Sequence, residues 1–245
     1  MSGIIFVFGT IFGSFLGVVI DRLPAKRNIA TGRSMCDNCH VLLGPLDLIP
    51  IFSFLRTKGR CAHCGTQLSL RYPLLEVLTG LAYMLCYMVF GLSFNFYIGL
   101  VLSSLLIVIA FIDIDTMFIY DRFHVLILLL GLVSVVYNPS LLRSGLLGMV
   151  IVSLPYLILA ILTQGIGGGD VKLIAASGLL LGAPNTVLAF IISTLIGGVY
   201  AVYVLLSKKQ DAKSAIPYGP FLCIGIFVAF LYGPNIIHSY LSLFF

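Results

Sequence analysis

The chain has 245 residues, 60% of them hydrophobic and only 9% charged, with a net charge of +5 and a mean hydropathy of +1.13. A water-soluble domain of this size and composition would need a largely apolar surface, which excludes the soluble globular classes. The positive balance is no nucleic-acid signal either. Eight of the fourteen Lys/Arg fall between Arg22 and Arg71, and three more are Lys208, Lys209 and Lys213. Basic clusters beside apolar runs mark the cytoplasmic side of a membrane.

Several apolar runs reach about 17–25 residues, long enough to cross a bilayer as helices. The expected fold is an all-α polytopic membrane protein with about eight transmembrane helices. They run roughly over 3–20, 73–91, 95–113, 122–137, 144–163, 170–183, 185–206 and 219–243. A seven-span reading fuses the sixth and seventh across Gly182-Ala-Pro-Asn185. Parity favours eight, because the two basic connections then share the cytoplasmic face and both termini face outward. The first run lacks a basic stretch before it and a small-residue cleavage site after it, so it reads as a retained span.

Three regions follow: a first transmembrane helix over 1–21, a small cytoplasmic domain over 22–72, and a membrane domain of about seven helices over 73–245. No internal repeat or low-complexity tract is evident. About fifty residues are too few for a strong apolar core, so the 22–72 region needs a staple. Cys36-Asp-Asn-Cys39 and Cys61-Ala-His-Cys64, with 21 residues between them, provide one. Two C-x-x-C knuckles at this spacing read as a closed tetrahedral zinc site in which metal binding becomes folding energy. A disulfide pair is disfavoured in the cytoplasm, and a redox site would need only one C-x-x-C. His40 and His63 read as bystanders, and Cys86 and Cys223 as small apolar residues within spans.

Two aspartates interrupt this pattern. Asp113 ends the run Leu105-Ile-Val-Ile-Ala-Phe-Ile112, and Asp170 follows Gly167-Gly168-Gly169 and opens another run. A carboxylate near hydrocarbon costs several kcal/mol by most estimates and is rarely kept without a use. Parity places both at the cytoplasmic ends of their helices. Two such groups together share a proton and titrate as a pair, the chemistry of an aspartic protease. Asp170 also has a plain reading as a helix cap. Asp115 and Asp121 compete with Asp113: Asp121 reads as a cap for the fourth span and Asp115 as a solvated residue. Gly167 and Gly169 would let an extended peptide approach closely. Glu76 is expected to pair with Arg71 or line the site, and Lys172 to snorkel toward the interface.

The ordered set of motifs resembles the type IV prepilin peptidase family, whose members are membrane aspartic proteases. Gly13-Ser-Phe-Leu-Gly17 through Leu23-Pro24 is similar to that family's opening stretch, which usually carries Asn at the position of Gly17. The four cysteines match its cytoplasmic zinc-binding insertion. Arg71-Tyr-Pro-Leu-Leu-Glu76 resembles the start of its second span, and Ile216-Pro-Tyr-Gly-Pro-Phe221 the segment before its last. Asp113-Ile-Asp115 with Ile119-Tyr-Asp121 resembles its first aspartate motif, where Pro usually stands in place of Tyr120, and Gly167-x-Gly169-Asp170 its second. The resemblance implies Asp113 and Asp170 as catalytic residues, Gly167 and Gly169 in the active-site turn, and Cys36, Cys39, Cys61 and Cys64 as zinc ligands. It implies removal of the basic leader from prepilins or pseudopilins at the cytoplasmic face of a bacterial plasma membrane, typically after a glycine. Many members also N-methylate the new terminus with S-adenosylmethionine, through the N-terminal cytoplasmic domain. No G-x-G-x-x-G methyltransferase fingerprint occurs here. The competing readings are a presenilin-like intramembrane protease, a transporter with proton- or metal-binding aspartates, and a membrane scaffold.

Overall fold

The computed structural model describes residues 1–32, 34–36, 38–163, 167–207 and 216–243. The basic connection at Lys208, Lys209 and Lys213 lies outside the described residues. Among those described are ten α-helices: α1 (Ser2–Arg22), α2 (Phe52–Arg56), α3 (Arg71–Phe90), α4 (Phe94–Thr116), α5 (Asp121–Tyr137), α6 (Leu141–Ile151), α7 (Ser153–Thr163), α8 (Gly168–Leu181), α9 (Ala183–Leu206) and α10 (Gly219–Leu241). Six stretches are long and apolar enough to span a bilayer: α1, α3, α4, α6 with α7, α9 and α10. The chain is therefore a multi-pass membrane protein. Helices α5 and α8 also occupy expected runs but have only 17 and 14 residues.

The run expected as one helix over 144–163 is broken at Val152. Pro155 supplies the reason: it has no N–H for the Ile151 carbonyl, and its ring presses on that group. The Ser153 hydroxyl turns back to the Met149 carbonyl at the break.

The chain divides into two compact units, Met1–Val108 and Ile109–Phe245. In the first, α1 packs along α3 through bare α-carbons. A Cβ on Gly9 would stand 2.7 Å from the Gly80 Cα, and one on Gly13 would stand 2.7 Å from the Glu76 Cα. Small residues four apart let membrane helices pack this closely, where dispersion must replace the missing hydrophobic drive. The Tyr83 hydroxyl pairs with Ser104 at 2.8 Å and ties α3 to α4.

The cysteine segment of this unit shows a repeat that the sequence hides. Cys36 N–H donates to the Val41 carbonyl at 3.0 Å, and Cys61 N–H to the Thr66 carbonyl at 2.8 Å. His40 N–H returns to the Cys36 carbonyl as Gly65 N–H does to Cys61. Antiparallel bridges join Met35 to Leu42 and Arg60 to Gln67. Every pair is offset by 25 residues, the step from Cys36 to Cys61. The residue after each second cysteine must take a left-handed backbone: Gly65 has φ 72° and His40 has φ 55°. Glycine does this freely, whereas an L side chain is strained by about 1–2 kcal/mol.

In the second unit α8 is central, with α5, α6, α7, α9 and α10 packed around it. Most of its side chains are buried, including Leu173, Ile174, Ser177 and Leu179. A helix covered on all sides need not meet lipid, which is compatible with its short length. Close approach again rests on glycine, since a Cβ on Gly148 of α6 would stand 2.6 Å from the Gly178 carbonyl oxygen of α8.

Several buried Ser and Thr hydroxyls are satisfied by a carbonyl one turn back along the chain. Thr79, Ser134, Ser177, Thr186 and Ser193 each donate to the carbonyl four residues before them. With no water in a bilayer core, such groups must be paired internally.

His40→Gly should raise the resistance of the cysteine segment to unfolding by up to about 1 kcal/mol, the relief of its left-handed strain less the extra freedom of the unfolded chain. Denaturant titration of the full chain in detergent, followed by thiol accessibility, would check this. Earlier exposure of the four thiols than in the parent would contradict it.

Candidate active site and metal centre

Asp113 lies in the last turn of α4 and is only 5% exposed, whereas Asp115, two residues on, faces outward. The helix stops at Thr116, and Met117, with φ 53°, donates its N–H to the Asp113 carbonyl at 2.8 Å. Asp170 is 8% exposed and sits in the first turn of α8, where Gly167 holds the N-cap position. Asp170 is thus inside the helix rather than its cap.

The fold brings the two acids within electrostatic reach of each other. The charge of Asp113 acts on Asp170, and Cys223 of α10 lies in the field of both. Two backbones stand against these carboxyl groups. The Gly219 N–H at the start of α10 donates to Asp113 Oδ2 at 3.0 Å. A Cβ on Gly167 would stand 3.0 Å from Asp170 Oδ2. Tyr156 of α7 and Tyr218 just before α10 both feel the Asp170 charge, with their ring centroids 6.2 Å apart. The α-carbon of Gly169 faces Ile119, where a Cβ would stand 3.1 Å from the isoleucine Cβ, while Gly168 opens onto free space.

The other acids fall elsewhere. Asp121 does not cap α5, for Tyr120 holds that position. Its Oδ1 instead takes the Lys172 ammonium at 2.7 Å and lies 3.4 Å from His124 Nδ1. That pair ties the start of α5 to α8 and leaves the Lys172 side chain more than half exposed. The Ile51 N–H of the first unit donates to Glu76 Oε2 at 2.7 Å. Glu76 also lines a cavity of about 280 Å³ within that unit, with Asp21, Arg22, Arg60 and Tyr72 among its neighbours. The Tyr72 hydroxyl donates to Asp21 Oδ2 at 3.1 Å.

Sequence reasoning passed over Gly219, Tyr156, Tyr218 and the setting of Cys223. The Ile216–Phe221 motif was a usable signal for two of them: a Gly-Pro opening an apolar run marks a helix start with spare N–H groups.

The four cysteines meet as the spacing predicts. Their sulfur atoms all lie within 4.8 Å of one another, and those of Cys36 and Cys64 are 3.8 Å apart. A tetrahedral ion with bonds of about 2.3 Å to sulfur spaces its ligands by roughly 3.8 Å, so the group is placed to hold a metal ion. Cys36 and Cys61 are buried and Cys64 is exposed. The Thr66 hydroxyl, then its N–H and the Asn38 amide, hold the Cys64 thiol down at about 5.

A family model described as the bacterial peptidase A24 N-terminal domain matches residues 7–90, and one described as the type IV leader peptidase family matches residues 100–202. The chain is 36% identical to the prepilin leader peptidase/N-methyltransferase of Bacillus subtilis (strain 168), over 99% of each chain. It is 31% identical to the protein of that name from Aeromonas salmonicida (strain A449), over 98% of this chain and 93% of the relative. The Neisseria gonorrhoeae counterpart is 34% identical over 91% of this chain and 88% of its own length. No solved structure matches.

Proposed function

This chain belongs to the type IV leader peptidase family, and from that premise we propose that it cuts the basic leader from a prepilin or pseudopilin with Asp113 and Asp170 as its water-activating pair. It is a membrane protease, and what supports the assignment of the pair is that two carboxyl groups from distant motifs are both buried and within electrostatic reach of each other. With one proton between them, the ionised carboxylate takes a proton from water as its oxygen attacks the scissile carbonyl carbon. The protonated partner donates to the carbonyl oxygen, giving a neutral tetrahedral intermediate. Collapse breaks the C–N bond: the leaving nitrogen takes up a proton from one member of the pair while a hydroxyl of the intermediate returns one to the other carboxylate, which restores the single shared proton. No covalent enzyme intermediate is needed. Tyr156 and Tyr218 stand together within the field of Asp170, and the Gly167–Gly169 turn offers backbone to an extended chain.

Basic residues of 22–72 put the cysteine segment, and with it the leader-cutting site, on the cytoplasmic face of a bacterial plasma membrane in this reading. A leader rich in Lys/Arg would gather at the anionic inner leaflet and meet the acids there. Zinc suits the thiol set, because four sulfur donors at this spacing leave no open position and give a structural site rather than a catalytic one.

The relatives' names carry a second activity, N-methylation. Bound S-adenosylmethionine would supply a methyl group to the new N-terminal amine. Of the described residues, those around the cavity of the first unit fit it: the Glu76 and Asp21 carboxylates suit its cationic sulfonium and amino groups, and Arg22 and Arg60 its carboxylate. At about 280 Å³ the cavity is near the lower end of small-ligand pockets, ~300–1,000 Å³.

A transporter would need polar groups left free to line a path. The buried hydroxyls cited above are instead bonded back to their own helices. The match to leader peptidases likewise disfavours the presenilin-like reading.

Asp113→Asn and Asp170→Asn should each reduce leader cleavage by about 10²–10⁴-fold while insertion and yield stay normal. Processing at the parental rate by a purified Asp170→Asn protein would sink the mechanism. Elemental analysis of the purified chain should find about one zinc per protein, lost when Cys36 and Cys61 are both changed to Ser; four free thiols without metal would remove the zinc claim. Mass spectrometry of a pilin processed with the methyl donor present should show one added methyl, and Glu76→Gln should abolish it while leaving cleavage intact. An unmodified terminus from the parent enzyme would count against the second activity.

A further inference from the structure

Asp113 has a backbone partner far along the chain. Gly219 N–H donates to its Oδ2 at 3.0 Å, across 106 residues of sequence. The α-carbon of Gly219 also lies directly under the carboxyl group. A Cβ there would stand 2.6 Å from Oδ2, 2.9 Å from Cγ and 3.2 Å from the Asp113 Cβ. Even the first of these is closer than a carbon and an oxygen can pack, and the obstacle is the reacting group itself. Gly219 opens α10, a helix of 23 residues, so its N–H is one of the first-turn donors without a partner inside the helix. The positive end of that helix faces the carboxylate. Just before it, Tyr218 lies within the field of the Asp170 carboxyl group.

We propose that Gly219 is a positioning residue for the leader-cutting reaction: its N–H and its bare α-carbon together fix Asp113 Oδ2 where the water must be activated. The start of α10 thereby becomes a third arm of the site, beside the two aspartate motifs. This rests on the reading of Asp113 as a member of the catalytic pair. Only glycine serves at 219. Alanine keeps the donor but forces the carboxyl group aside, and displacement of a reacting group by about 1 Å costs about 100-fold in rate.

The test uses the full chain in detergent and a synthetic peptide with a Lys/Arg leader, a glycine at the cut and an apolar stretch after it. Gly219→Ala should lower kcat about 100-fold with KM unchanged, since the substrate's binding surface is left alone. A double-mutant cycle read by Tm supplies a measure that does not depend on turnover. Gly219→Ala should lower Tm in the parent and lower it by clearly less in Asp113→Ala, where the obstructing carboxyl group is gone and only the Cβ contact remains. Normal kcat in Gly219→Ala, or the same Tm change in both backgrounds, would overturn the proposal. If instead Asp113→Asn cleaves the peptide normally while the cycle still shows coupling, the catalytic reading fails and the contact stands.

Discussion

A carboxyl group removed from water must find its solvation in the protein that buries it. Asp113 meets this demand with a backbone donor, the Gly219 N–H, and among the described residues no Lys or Arg is paired with it. The choice has chemical consequences. A cation beside the pair would hold a proton off it, whereas an amide donor orients the group and leaves its charge free to change. The one cation that is tied down nearby in sequence, Lys172, is engaged by the exposed Asp121. Had it met Asp170, two residues away, the shared proton that the chemistry needs would be hard to keep.

Backbone solvation of this kind demands that helices approach closely, and that requirement explains the glycine placement. Side chains of ordinary size would hold α6 off α8 at Gly148, α1 off α3 at Gly9 and Gly13, and α10 off Asp113 at Gly219. In lipid, where burying apolar surface gives no drive toward association, such contacts are also the main source of cohesion. Gly219 alone of these glycines serves both packing and the candidate site. Hydroxyls play a lesser part: Ser134, Ser177 and Thr186 each donate to the carbonyl four residues back, and Tyr83 with Ser104 is a bond between helices.

The helices, the cysteine tetrad and the two buried acids were legible in the sequence because each leaves a one-dimensional mark: a long apolar run, a paired C-x-x-C, a charge where none is cheap. Choosing Asp113 over Asp115 from its position agrees with the burial seen. What escaped was relational. Pro155 was visible, but the Val152 break depends on which carbonyl its ring meets. The knuckle repeat is conformational, with His40 standing where its twin has Gly65, so letter matching finds nothing. Asp121 reads as a cap by rule and serves as an ion-pair partner by geometry. Gly219 lies 106 residues from the atom it holds, and no local pattern reaches that far.

Each compact unit contains its own polar centre. The thiol cluster and the cavity around Glu76 belong wholly to the first, and the two aspartates with Gly219 belong wholly to the second. The family matches divide in a similar way, at residues 7–90 and 100–202. Cutting a peptide and methylating an amine ask for opposite settings: a proton-sharing acid pair in the first case, and in the second a pocket that accepts a cationic donor and keeps the amine unprotonated. One site tuned for both would serve neither well, because the acids that activate water would also protonate the amine to be methylated. With Asp113, Asp170 and Gly219 all in the second unit, the proposed cleavage leaves the first unit free for the proposed methylation, with Glu76 held by the Ile51 N–H.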